Sequence, residues 1–109
     1  MNAREARIAQ NEVLFREVNE RIRKVSESMA LDERFEIFCE CGRDDCIEKL
    51  TVERTVYEAA RSSATRFIVK PGHQSEDVEV VTAGANGYVI VEKRGPTAEI
   101  ARENDPRGT

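Results

Sequence analysis

Phe38-Cys39-Glu40-Cys41-Gly42-Arg43-Asp44-Asp45-Cys46 holds all three cysteines of this 109-residue chain within eight positions. The single histidine, His73, stands 27 residues after Cys46, directly behind Pro71-Gly72. Three thiols and one imidazole are a full ligand set for one tetrahedral zinc ion, and soft thiolates argue against magnesium or calcium. Gly42 falls where the chain must turn sharply before the third thiol, a place glycine can take without strain. The expected cofactor is Zn2+, held for structure by Cys39, Cys41, Cys46 and His73. For the fourth place, Asp44, Asp45, Glu48 or water are the alternatives to His73. Two other readings of the thiols stand beside this one. They could be buried core cysteines, against which the neighbouring Glu40, Arg43, Asp44 and Asp45 argue, or a redox pair whose oxidation releases zinc.

The rest of the composition suits a stapled domain. At this length the chain is one small domain with appendages. Charged residues make up 35% and there is no tryptophan, so the core is modest, and small cores commonly need a metal or disulfide. An odd number of cysteines cannot close into intramolecular disulfides alone. No apolar run is long enough to span a bilayer. Met1-Asn2-Ala3-Arg4-Glu5 opens into helical sequence without an apolar leader, which leads to the expectation of a cytoplasmic protein whose thiols stay reduced.

Upstream of the cysteines, residues 3 to 30 read as one helix without glycine or proline. Ile8, Phe15, Ile22 and Met29 recur every seven residues, and Asn11, Val18 and Val25 fill the second seam position. This is a coiled-coil stripe with a polar residue at Asn11. Leu14 widens it. An isolated amphipathic helix gains little from propensity, so the stripe needs cover. Either the protein's own sheet supplies it, or a partner protein or second copy does, with Ile8, Phe15, Val18, Ile22, Val25 and Met29 as the partner-binding residues. Asn11 fixes register in a dimer or marks a frayed first turn.

Downstream, Phe35, Ile37 and Cys39 alternate as in a strand that delivers the first thiolate. Thr51 is the expected N-cap of a second helix from Val52 to Arg61, with Val52, Val56, Ala59 and Ala60 facing inward. A strand over 66–70 stops at Pro71-Gly72, and strands over 78–82 and 88–93 flank a hairpin signal at Asn86-Gly87. Residues 96–109 are polar and patternless, which predicts a flexible tail. The expected fold class is α+β: a long N-terminal amphipathic helix over 1–31, a zinc-binding α+β domain over 32–95 with a small antiparallel sheet and one helix, and the tail.

The knuckle Cys39-x-Cys41-Gly42-x-x-x-Cys46 resembles the post-SET zinc motif of histone lysine methyltransferases, whose fourth ligand comes from elsewhere in the fold. That likeness implies the metal and none of the enzyme. The chain as a whole resembles a group of small actinobacterial zinc-knuckle proteins. The likeness runs through Asn11-Glu12, Asn19-Glu20-Arg21-Ile22, Cys39-Glu40-Cys41, Tyr57-Glu58-Ala59-Ala60-Arg61, Arg66-Phe67-Ile68-Val69-Lys70-Pro71-Gly72-His73 and Val89-Ile90-Val91-Glu92-Lys93. It covers all four ligand candidates and implies no activity.

Three function classes remain. The first is a non-enzymatic regulatory or adaptor protein acting through protein–protein interaction, with a thiol/zinc redox-responsive regulator as its variant. The second is a zinc-dependent hydrolase with an open fourth metal position, using His73 and Glu40 or Asp45. No nucleophile motif, phosphate-binding glycine loop or HExxH supports it. The third is nucleic-acid binding through Arg21, Arg23, Lys24 and the tail arginines. The net charge of −4 and the six basic against five acidic residues of positions 1–31 leave no basic field for it.

Overall fold

The uninterrupted helical pattern forms α1 (Ala3–Ser28), and the alternation after it forms strand β1 (Arg34–Phe38). The computed structural model describes residues 2–28, 33–85 and 87–107. β1 pairs antiparallel with β2 (Lys49–Glu53), setting Phe35 opposite Val52 and Ile37 opposite Leu50. All four side chains are buried on one face, as period-2 alternation requires. The cysteine knuckle is therefore the connection of a β-hairpin.

α2 (Arg54–Arg61) follows β2 directly. A second sheet of β3 (Arg66–Val69), β4 (Glu79–Ala85) and β5 (Tyr88–Lys93) has the order β3-β5-β4, antiparallel throughout. α3 (Pro96–Glu103) closes the chain's regular structure. One core runs through Phe35, Ile37, Leu50, Val52, Tyr57, Phe67, Ile68 and Val91, and all three cysteines belong to it.

The α+β architecture is as expected, with four differences. The single small sheet is two sheets. Thr51 does not cap a helix: it lies exposed in β2, and Glu53 takes the N-cap position of α2 without a side-chain cap bond. A cap is worth about 1 kcal/mol, less than burying Leu50 and Val52 at roughly 1.5–3 kcal/mol each, so strand pairing wins. The inward face of α2 is Tyr57, Ala60 and Arg61, while Val56 is half-buried and Ala59 exposed. Residues 96–103 of the expected tail are a helix. Pro96 opens it behind Gly95, whose φ is +62°, and a proline at the first helical position is preorganised for this. Ala98 and Ala101 are buried, and beyond the helix Arg107 forks onto Glu20 and Glu58.

α1 lies along this body. The Cα radius of gyration is 13.0 Å, about what a folded chain of this length has. The face it buries is polar: Glu12, Arg16, Asn19 and Glu20, with only Ala9 among apolar residues. Arg16 donates to the carbonyls of Ala64 at 2.5 Å and Ala101 at 2.8 Å and stacks on Phe67. Tyr57 donates to Glu20 at 2.9 Å. Of the seam residues, Ile8, Phe15, Val18 and Ile22 are half-buried; Val25 is exposed, as is neighbouring Leu14. Met29 lies outside the described residues.

Glu12 and Glu79 share one ammonium, that of Lys93, whose Nζ lies 2.5 Å from Glu79 Oε1. Burial pushes the Glu12 carboxyl up to about 8; Lys93 opposes the shift, and Glu79 and Cys41 add to it. A carboxyl whose folded value exceeds its unfolded value stabilises the fold fully below the unfolded value, near 4.5, and loses that contribution as pH rises through the folded one. The thermal midpoint is expected to fall by several degrees between about pH 5 and about pH 8. Glu12→Gln should flatten this slope in calorimetric melts, and an equally steep slope in the variant would reject the assignment.

Candidate metal centre

β1 ends at Phe38, and Cys39 and Cys41 follow as the chain leaves the strand. The Cys39 N–H donates to the Glu48 carbonyl at 2.8 Å, which holds the two stems of the connection together. Glu40, between them, turns the other way. Gly42 has φ +76°, in the left-handed region, and the Cys46 N–H donates back to the Arg43 carbonyl at 3.2 Å. His73 arrives from the second sheet on a turn after β3. Its N–H donates to the Lys70 carbonyl at 2.9 Å across Pro71-Gly72, and Gly72 has φ +91°. Proline then glycine at the centre is the signature of a type II turn.

The four donors meet. Sγ of Cys39, Cys41 and Cys46 and a ring nitrogen of His73 all lie within 4.8 Å of one another. His73 Nδ1 is 3.7 Å from Cys39 Sγ and 3.6 Å from Cys46 Sγ. A tetrahedron with sulfur about 2.3 Å and nitrogen about 2.05 Å from zinc has an S···N edge of about 3.6 Å, so the donor set fits. The three cysteines are buried and His73 is half-buried. The backbone N–H of Lys70 donates to Cys39 Sγ at 3.1 Å, an outer contact of the kind that orients a metal ligand. Asp44, an alternative donor, instead accepts from Asn11 Nδ2 at 2.8 Å, and Glu48 pairs with Lys70 at 3.4 Å.

Crowding sets the thiols against one another. Hydrogen bonding to Cys41 and burial push the Cys39 thiol up, and burial pushes Cys46 up. Cys41 is pulled down to about 4, chiefly by the Cys39 hydrogen bond, with burial opposing. Metal ligation requires thiolates, and a divalent cation relieves the repulsion that keeps three of them from ionising together.

Comparison of the chain with protein-family models, with curated proteins and with solved structures finds no significant match. What stands of the resemblances is the four-donor cluster itself.

Several residues of the site's surroundings were not evident from spacing. Glu40 is fully buried: it accepts from Arg61 Nη2 at 2.6 Å, Asn19 Nδ2 at 2.7 Å and the Ile68 N–H at 2.9 Å. It is neither a surface acid of the knuckle nor a free carboxylate, because its charge is answered inside the core. Asn11 does not point into an apolar seam; its amide donates to the Gly42 carbonyl at 3.1 Å as well as to Asp44. The available signal was a polar residue in an otherwise apolar stripe.

Proposed function

We propose that this chain is a non-enzymatic zinc-binding regulatory or adaptor protein, in which zinc is structural and the readout is interaction with another protein. The observation that carries this reading is the convergence of three buried thiols and the half-buried His73 on one point at the edge of the core. Four protein donors saturate a tetrahedral ion, and saturated sites are structural. The hydrolytic alternative needs an open metal position and a working carboxylate; Glu40, the acid nearest two ligands in sequence, is committed to Arg61, Asn19 and Ile68.

The half-covered stripe of α1, with Leu14 and Val25 exposed, supports a protein partner or a second copy docking there. Direct nucleic-acid binding finds little support: Arg21 faces Glu17, and Arg23 and Arg107 face Glu20 and Glu58. Cytoplasmic residence suits three reduced thiols. Among the described residues no helix is long and apolar enough to cross a membrane.

Native mass spectrometry of protein purified without added metal tests the metal half, and light scattering after size exclusion tests self-association. One zinc per chain is expected. Absence of metal with oxidised thiols would replace this reading by the redox one.

A further inference from the structure

The connection 39–48 carries no helix or strand, so its shape comes from what it holds and what holds it. The four donors constrain it from one side. α1 constrains it from the other. Asn11 Nδ2 donates to the Gly42 carbonyl at 3.1 Å and to Asp44 Oδ1 at 2.8 Å, and Arg7 Nε lies 3.5 Å from Asp44 Oδ2. Gly42 is pressed onto the helix so closely that a β-carbon there would stand 2.5 Å from the Ile8 carbonyl oxygen and 2.7 Å from Glu12 Cγ.

Among the described residues, the polar contacts that Ala3–Asn11 make with other elements all run to Gly42 and Asp44. Further along, α1 is fastened elsewhere. Glu12 binds Lys93, Arg16 binds Ala64 and Ala101, and Glu20 binds Tyr57 and Arg107. Asn19 also reaches the loop, donating to Glu40 Oε2 at 2.7 Å and to the Phe38 carbonyl at 2.9 Å, but Glu40 is held independently by Arg61 and the Ile68 N–H. The helix thus has two moorings, and only in the N-terminal one do the polar contacts run to the metal loop alone.

Resting on the zinc reading above, we propose that Asn11 is a positioning residue of the metal loop. Metal occupancy and docking of the first three turns of α1 then form one coupled equilibrium. Zinc shapes the turn through Gly42 and Asp44 that Asn11 grips, and the grip in turn holds Cys41 and Cys46 in ligating positions. Linkage makes the effect reciprocal: whatever zinc adds to helix docking, docking adds to zinc affinity. Metal loss would free Ile8 and its neighbours for a partner while the second half of α1 stays seated.

Hydrogen exchange of the full chain, with zinc and after chelation, tests one direction. Competition titration of zinc against a chromogenic chelator, in wild type and Asn11→Ala, tests the other. Alanine is the best helix former, so the variant keeps the helix. Asn11 bonds the loop between two ligands and not a ligand itself, so the loss expected for Asn11→Ala is that of its hydrogen bonds to Gly42 and Asp44, about 10-fold. Chelation should lower protection of amides up to Glu12 while those from Glu17 to Lys24 and in β3 and β5 hold. Asp44→Ala, at an exposed position, should lose affinity in the same direction and carries the test should Asn11→Ala fail to fold.

Zinc affinity unchanged in Asn11→Ala would overturn the proposal, as would helix protection indifferent to zinc. Loss of protection throughout the chain would also overturn it, because that is unfolding and not release of one segment. A wild type that binds no zinc would remove the functional reading itself.

Discussion

Arg61→Ala is expected to cost the protein most of its stability. The Arg61 and Glu40 side chains are 1% and 0% exposed, and Nη2 stands 2.6 Å from Oε1. Truncating the arginine leaves a buried carboxylate with only the Asn19 amide and the Ile68 N–H as partners. Breaking a buried pair from one side costs about 3–5 kcal/mol, against a total of about 5–15 kcal/mol for a typical domain. The guanidinium also lies 5.1 Å from the Tyr57 ring and 5.9 Å from that of Phe67, so truncation removes packing as well. Urea denaturation should show a midpoint near zero denaturant or no native baseline. A double change, Arg61→Met with Glu40→Leu, removes both charges and should recover much of the loss, since apolar replacements of buried pairs are often neutral or better. A single variant with a wild-type midpoint would show that the pair is not buried as described.

The four-donor cluster was legible because its chemistry is written locally. Three thiols lie in one connection, and Pro71-Gly72 sets the turn that presents His73 at its end. The long helix was legible from periodicity alone. What it buries was not. Sequence patterns place charged residues outside, since an unpaired charge cannot be afforded in a core. Glu12, Arg16 and Glu20 are inside because Lys93, two backbone carbonyls and Tyr57, all distant in sequence, meet them there. β2 was missed because Leu50 and Val52 match a short strand and a helix start equally well; only the facing Ile37 and Phe35 decide between them. α3 was missed for the opposite reason. Its buried residues are Thr97, Ala98 and Ala101, too small or too polar to mark a pattern, and Arg16 of α1 reaches it through the Ala101 carbonyl.

On the zinc reading proposed above, replacing one of the four donors should have the other large effect, graded by where the donor sits. Cys41 is 3% exposed and belongs to the core cluster. Cys41→Ser substitutes a hard oxygen for a soft sulfur and leaves a hydroxyl in an apolar setting. Structural zinc contributes about 10–16 kcal/mol of apparent binding energy in small zinc domains, so losing even part of it matters. The variant should bind zinc at least about 100-fold more weakly and melt more than about 10 °C below wild type, with no rise on adding zinc. His73 is different in kind: half-buried, and set on a turn whose Pro71 and Gly72 are exposed. With three thiolates still in place, water can take the fourth position. His73→Ala should therefore keep one zinc per chain, bind it more weakly than wild type but more tightly than Cys41→Ser, and melt between the two. Chelator competition and melts with and without zinc read both quantities. A Cys41→Ser protein that still holds zinc stoichiometrically at wild-type strength would refute the ligand set. A His73→Ala protein with unchanged affinity would leave the three cysteines as ligands and assign the fourth place to another donor.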